Sequence, residues 1–386
     1  MMNGSFPRAL LPGLAAIVLG VLFLALLLTF ESQWSVGALL AGGAAVVFIA
    51  SRAGLLSRAA TSFDTHEPVM AGATILALLV LAAWFAEDHF PLLMLSTVLL
   101  MVTSCLGLTV QFGFAGMVNF AGAAFFGLGA YTAAVLVRYT HLPHLLSLPA
   151  GGLAAGILGS VLIWPMLRTK GHYSAVVTIA FAILFKTFLE VNDTLGGAQG
   201  MKIRNIVVFG WKPNQDIEIG SLELSHYLIY FLAALALAAV AFVFCRRLER
   251  SWIGLSMDAV RIDETAAACF GLDVRRWKIV AFTWGNVLAG MAGALYALMV
   301  GYVAPNNFTF GDSLILVSIV LLGGIGNVWG VMVAAALMIL LPEKLQAIQE
   351  YRFLLYAVLV MLILLFRPQG LLPRPLRRYL PGGAGR

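Results

Sequence analysis

Apolar residues recur along the chain in runs close to the ~20 residues that an α-helix needs to cross a hydrocarbon core. The runs cover Leu10–Phe30, Trp34–Ala50, Val69–Phe85, Pro91–Phe112, Val118–Val137, Leu145–Leu167, Tyr173–Leu189, His226–Phe244 and Trp277–Val300. Two more follow, Phe308–Leu341 and Tyr351–Phe366. Each predicts a membrane helix. The first run is longer than the roughly 7–15 residues of a secretory signal core, and no small-residue cleavage site follows it, so it reads as the first span.

Two stretches interrupt the pattern. Phe308–Leu341 contains Gly323-Gly324-Ile325-Gly326-Asn327, which suits either one long helix or two helices joined at the glycines. Charge decides between them. Arg52 and Arg58 follow the second run, and Arg168 and Lys170 follow the sixth. Arg246, Arg247, Arg250, Arg275, Arg276 and Lys278 bracket the loop after the eighth, and Arg374, Arg377 and Arg378 follow the last. The positive-inside rule puts all of these groups on the cytoplasmic side. A single crossing at Phe308–Leu341 would leave the last group outside, whereas two short crossings with a cytoplasmic-side turn keep it inside. The expected fold is an all-α polytopic transmembrane bundle of about 10–12 helical segments with both termini cytoplasmic, some of them re-entrant. The second interruption, Gln111 to Phe120, separates the fourth and fifth runs with Gly113, Gly116 and Asn119. Backbone freed at that depth must be satisfied within protein or in a water-lined cavity. One glycine-broken hairpin in each half suggests a pseudo-repeat with a pathway at its interface.

Composition excludes a soluble fold. Of 386 residues, 61% are hydrophobic and 11% charged, against about 25% charged in soluble domains. The mean hydropathy is +0.95. The formal charge of +6 sits between apolar runs, so it reads as a topology signal and as contact with anionic lipid, not as a nucleic-acid surface. Cys105, Cys245 and Cys269 are unclustered, and the six histidines lack metal-ligand spacing, so neither a disulfide framework nor a metal site is expected.

Two loops lie between spans. Glu190–Leu224 is external by parity, and Arg246–Arg276 is cytoplasmic. In the cytoplasmic loop, Asp258–Phe270 holds good helix formers with acidic residues early, which predicts one short helix stopped by Gly271. Such a helix is either a docking knob for a cytoplasmic partner or a surface helix lying along the headgroups.

This loop resembles the coupling loop of ABC importer permeases, with Glu264, Ala266, Ala267 and Gly271 matching the pattern and Thr265 interrupting it. Further segments resemble the LivM branch of the branched-chain amino acid permeases. They are Gly113 to Gly116 with Ala123 to Tyr131, Arg168 to Thr178, Leu322 to Gly326, and Arg367-Pro368-Gln369-Gly370-Leu371-Leu372. The resemblance covers roughly Pro91 to Pro373. It implies a permease domain over 91–373 with its coupling loop at 246–276, preceded by extra N-terminal spans over 1–90 and followed by a basic cytoplasmic tail over 374–386. It also implies a bacterial inner membrane, a LivH-type sister permease, two ATP-binding cassette subunits and a periplasmic substrate-binding protein. No Gly-rich phosphate loop ending in Gly-Lys-Ser/Thr occurs in the chain, so ATP and Mg are expected on the partner subunits, with no cofactor here. Arg261, Asp263 and Glu264 are the expected contacts for coupling. Leu195-Gly196-Gly197-Ala198-Gln199-Gly200 departs from the family's usual external motif at Leu195 and Gln199. That keeps urea, short amides and aromatic acids as cargo alternatives to branched-chain amino acids.

Polar residues inside spans are functional candidates because they are costly in lipid. Gln111, Asn119 and Asn286, with Gly113, Gly116, Gly323, Gly324 and Gly326, are the translocation-pathway candidates, and each amide also fits a role as interhelical glue. Lys186 and Glu190 are four apart and suit an ion pair near the interface. His172 sits at a span edge, facing headgroups. A stand-alone secondary transporter would show buried carboxylates for ion coupling, and only Glu190 approaches that here. A membrane enzyme would show a helical His pair with a glutamate, a serine elbow or clustered carboxylates, and the spans hold none of these.

Overall fold

The computed structural model describes residues 6–30, 32–140, 143–168, 173–203, 217–219 and 222–344, with 351, 354, 356–358, 361, 365, 370–372 and 374. Lys170 and His172, the middle of the external loop, most of the expected last span and Arg367, Pro368, Gln369, Arg377 and Arg378 lie outside the described residues.

The described residues are helical nearly throughout. In order come α1 (Phe6–Thr29), α2 (Gln33–Arg52), α3 (Leu55–Thr65), α4 (Glu67–Trp84) and α5 (His89–Thr109), then a π-helical turn at Val110–Phe114. Next are α6 (Gly122–Tyr139), α7 (Ser147–Leu167) and α8 (Tyr173–Val191). The strands β1 (Met201–Lys202), β2 (Ile217–Ile219) and β3 (Leu222–Leu224) precede α9 (Tyr227–Arg250), α10 (Trp252–Ile262), α11 (Glu264–Cys269) and α12 (Val274–Val300). The chain continues through β4 (Tyr302–Val303), α13 (Phe310–Gly323) and α14 (Val328–Lys344). Nine helices among the described residues are long and apolar enough to cross a membrane.

The chain divides into two compact units. The first comprises 1–95, 216–231 and 340–350. In it α1 packs on α3 and α4, and α2 on α3. The short helix α3 was not expected from hydropathy, because its apolar stripe is diluted by Ser57, Arg58, Thr61 and Asp64. Lys344 Nζ donates to Leu28 O at 2.7 Å and Phe30 O at 3.3 Å. A lysine there satisfies carbonyls at the end of α1 that have no partner within the helix. The hairpin of β2 and β3 pairs Ile217 with Leu224. Ser225 N donates to Ala86 O at 2.9 Å, and His89 Nδ1 lies 2.6 Å from Ser225 Oγ.

The second unit comprises 96–215, 232–339 and 351–386. Its centre is α12, packed against α6 and α7. Glycines allow this approach. A Cβ placed on Gly129 of α6 would fall 2.6 Å from both Cα and carbonyl C of Gly290 on α12. A Cβ on Gly293 would fall 2.7 Å from the Phe126 carbonyl carbon. Outward faces carry the large apolar residues instead, as with Leu153, Ile157, Val161 and Trp164 on α7. Small residues inside and bulky ones outside is the arrangement of helices that associate within lipid, where the hydrophobic effect does not drive helix against helix.

Two helical expectations need correction. The fifth run does not begin its helix at Val118. Asn119 Oδ1 accepts from Ala121 N at 2.9 Å and Thr178 Oγ1 accepts from Phe120 N at 3.1 Å, so the backbone is held non-helical and α6 starts at Gly122. The loop helix expected over Asp258–Phe270 is two helices broken at Asp263, which is extended at φ −154° and ψ 109°. Its carboxylate caps the second piece. The stretch Phe308–Leu341 is two helices, α13 and α14, separated at Gly324–Asn327.

Candidate functional site

Three structural features in the second unit carry the expected site residues. The first is the break after α5. Here α5 loosens into the π-helical turn, and Met117 N returns to Gln111 O at 2.8 Å, with Gly116 at φ +67°. The turn directs Gln111 into the core, where Nε2 donates to Phe282 O and to Asn286 Oδ1, both at 3.0 Å. Asn119 Nδ2 donates to Gln111 Oε1 at 2.8 Å and to Asn286 Oδ1 at 3.2 Å. The three amides are buried and form one triad joining the break to α12. The amide nitrogen of Asn286 has no partner among the described residues and faces Gly159 of α7.

The second feature is the turn Gly324–Asn327. Gly324 at φ +107° and Gly326 at φ +86° adopt backbone that other residues resist. Asn327 Oδ1 accepts from Trp329 N at 3.0 Å and Gly330 N at 3.1 Å, which caps α14. Gly323 lies against Gly330, and a Cβ there would be 2.6 Å from Val331 N. The two breaks meet, since a Cβ on Gly113 would sit 2.6 Å from Gly326 N. Thus Gly113 of the first break meets Gly326 of the second, while the amide triad ties the first break to α12.

The third feature is the loop between α9 and α12. Ser251 caps α10 through Gly254 N at 3.3 Å. Asp263 Oδ1 accepts from Thr265 N at 2.8 Å and Ala266 N at 3.0 Å. Gly271 at φ +82° ends α11, with Leu272 N on Ala267 O at 3.0 Å. Asp273 Oδ1 caps α12 through Arg276 N at 3.1 Å. Glu264 pairs with Lys278 at 2.6 Å while its side chain stays 59% exposed. Ala266 is exposed and Ala267 is buried. Ile262 and Phe270, which flank α11, are 77% and 88% exposed. Arg261 approaches the first break, where a Cβ on Gly116 would meet its Cγ at 2.9 Å.

The loop and the two breaks therefore adjoin, a relation the sequence reading did not anticipate. It also missed Arg374, assigned only as a topology charge. The Arg374 guanidinium donates to both Asp258 oxygens, at 2.7 and 3.0 Å, and to Gly113 O at 3.1 Å. Nothing local marks it, because its partners lie far away in sequence. Lys186 and Glu190 form the ion pair their spacing allowed, at 3.2 Å and about one-third exposed. Among the described residues no group of three or more His, Cys, Asp or Glu is placed to hold a metal ion.

Membrane-length helices, small-residue packing and two broken hairpins beside one polar loop define a multi-pass helical membrane permease. The chain belongs to the family described as the permease component of the branched-chain amino acid transport system, whose model matches residues 90–366. It is 33% identical over 372 residues to the high-affinity branched-chain amino acid transport system permease protein LivM of Escherichia coli (strain K12), covering 89% of this chain and 87% of that protein. The LivM protein of Salmonella typhimurium (strain LT2) is 32% identical over 328 residues, 79% of this chain and 77% of its own. The LivH permease of E. coli K12 is 25% identical over 293 residues, 70% of this chain and 90% of its own. No solved structure matches the chain.

Proposed function

We propose that this chain is the LivM-type membrane subunit of an ATP-driven ABC importer in the inner membrane. It moves branched-chain amino acids from periplasm to cytoplasm by alternating access. A LivH-type sister permease completes the membrane pore. Two ATP-binding cassette subunits use ATP and Mg, and a periplasmic binding protein delivers the cargo. Residues 91–373 form the translocating body, and both termini lie in the cytoplasm. The observation that carries this reading is the loop 246–276. There α11 stands at the surface with Ile262 and Phe270 exposed on either side, a short alanine-rich helix that buries Ala267 and leaves Glu264, Thr265, Ala266 and Ala268 exposed. A partner that binds it reaches Arg261, whose stem rests on Gly116 in the first break. Motion of the loop then passes directly to the broken helices. Gln111, Asn119 and Asn286 hold the first break to α12 and set the position of the pathway wall.

The test is affinity recovery of the tagged subunit from its native membrane. Recovery of a second permease and two ATPase subunits supports the reading, and screening the accompanying binding protein against branched-chain amino acids, urea, short amides and aromatic acids identifies the cargo. Recovery of the chain alone, active in liposomes without ATP, makes it a secondary transporter or channel.

A further inference from the structure

Arg374 sits at the centre of a chain of alternating charges that is buried from Arg246 to Asp258 and reaches the surface at Arg261. Arg246 Nη1 pairs with Glu249 at 2.8 Å, and Glu249 lies 3.7 Å from Arg374 Nε. Arg374 holds both oxygens of Asp258, and Asp258 lies 3.5 Å from Arg261 Nε. The side chains of Arg374, Glu249 and Asp258 are 13%, 4% and 12% exposed. The same guanidinium donates to Gly113 O at 3.1 Å and lies 5.0 Å from the centre of the Phe114 ring. Its Cδ fills the space beside Gly326, 2.8 Å from where a Cβ would be. One side chain therefore touches the end of α9, the loop helix α10, the first break and the second break.

We propose that Arg374 is a positioning residue that makes the loop and the two helix breaks move as one body. The physical reason is the cost of letting go. A guanidinium has five donors in a rigid planar fork, so it fixes Asp258 and the Gly113 carbonyl in one relative geometry. Sliding the loop past either break would pull the largely buried Arg374 guanidinium off Asp258 or off the Gly113 carbonyl, and losing part of a buried charge's pairing is strongly unfavourable. Carrying the breaks along with the loop leaves every pair intact. The tail anchors the hub to α13, because Leu371 N and Leu372 N donate to Leu322 O at 2.7 Å and Gly323 O at 3.2 Å. These bonds satisfy carbonyls at the C-terminus of α13.

The inference rests on the importer reading for its transport readout, and a second readout is independent of it. In proteoliposomes holding the whole transporter, Arg374→Gln lowers uptake at least about tenfold while ATP hydrolysis stays within about twofold, and Arg374→Lys is intermediate. Uptake and hydrolysis falling together in proportion to lost complex would mean a structural role only, and unchanged uptake would also overturn the proposal. If Arg374→Gln fails to assemble, Asp258→Asn in the membrane subunit decides by hydrogen exchange. Amides of Gly324–Asn327, on the far side of Arg374 from Asp258, should exchange at least about fivefold faster. A change confined to α10 would sink the idea. A wild-type preparation without any ATPase would count against the importer reading alone, and the exchange experiment would still decide the role of Arg374.

Discussion

Gly129→Ala tests whether the core of the second unit is held by backbone contact. The added Cβ would lie 2.6 Å from Cα and carbonyl C of Gly290 and closer still to its oxygen. Ordinary contact begins near 3.4 Å, so α6 and α12 would have to part by roughly 1 Å along this seam. Both sides of the clash are backbone, so no rotamer change relieves it. Overpacking of this kind costs about 1–3 kcal/mol, and the gain of about 0.5–1 kcal/mol from Gly to Ala in a helix offsets only part of it. The net expectation is a loss of about 0.5–2 kcal/mol, a fall in midpoint on the order of 1–4 °C. The control is Gly72→Ala on α4, where nothing lies within 4 Å of the new Cβ. There only the helix term remains, and the midpoint should hold or rise. The assay is thermal unfolding of each detergent-purified variant, followed by tryptophan fluorescence. A Gly129→Ala protein as stable as wild type, or no less stable than Gly72→Ala, would refute the claim that glycine contacts set the helix spacing.

Three further outcomes follow from the site. Gln111→Leu removes three buried hydrogen bonds and leaves Asn119 and Asn286 joined only to each other within the triad, which should cost about 1–3 kcal/mol and lower the unfolding midpoint; an unchanged midpoint would show that the triad does not hold the break to α12. Asp263→Ala deletes the bonds to Thr265 N and Ala266 N, costing about 1 kcal/mol of cap, so both amides should exchange faster while Asp263→Asn preserves them; equal exchange in both variants would remove the cap from the account. Glu264→Arg breaks an exposed pair with Lys278 worth about 0–1 kcal/mol. It should leave the protein folded and inserted yet abolish uptake, and Cys269, exposed in the same helix, should become shielded from thiol reagents when ATPase subunits bind. Normal uptake, or labelling that does not change, would dismiss the docking assignment.

The membrane character, most span positions and the division of Phe308–Leu341 at its glycines were legible in the chain. Hydropathy, helix breaking and the inside preference of basic residues all act within one or two turns of their own position. The break at Asp263 was legible in principle as well, since an aspartate two and three residues before Thr265 and Ala266 is a local capping signal that competes with helix continuation. It was overlooked because good helix formers flank it. The amide triad belongs to another class. Gln111 and Asn286 are 175 residues apart, and each reads alone as a polar residue in an apolar run. Likewise Arg374 lies 116 residues from Asp258 and 261 from Gly113. Its place in the sequence marks only which side of the membrane a charge prefers. Residue type and local spacing determine that such groups cannot stay unpaired in lipid. Which partners they find depends on how closely the helix backbones approach one another, and only the tertiary packing of α6, α7 and α12 through their glycines decides that.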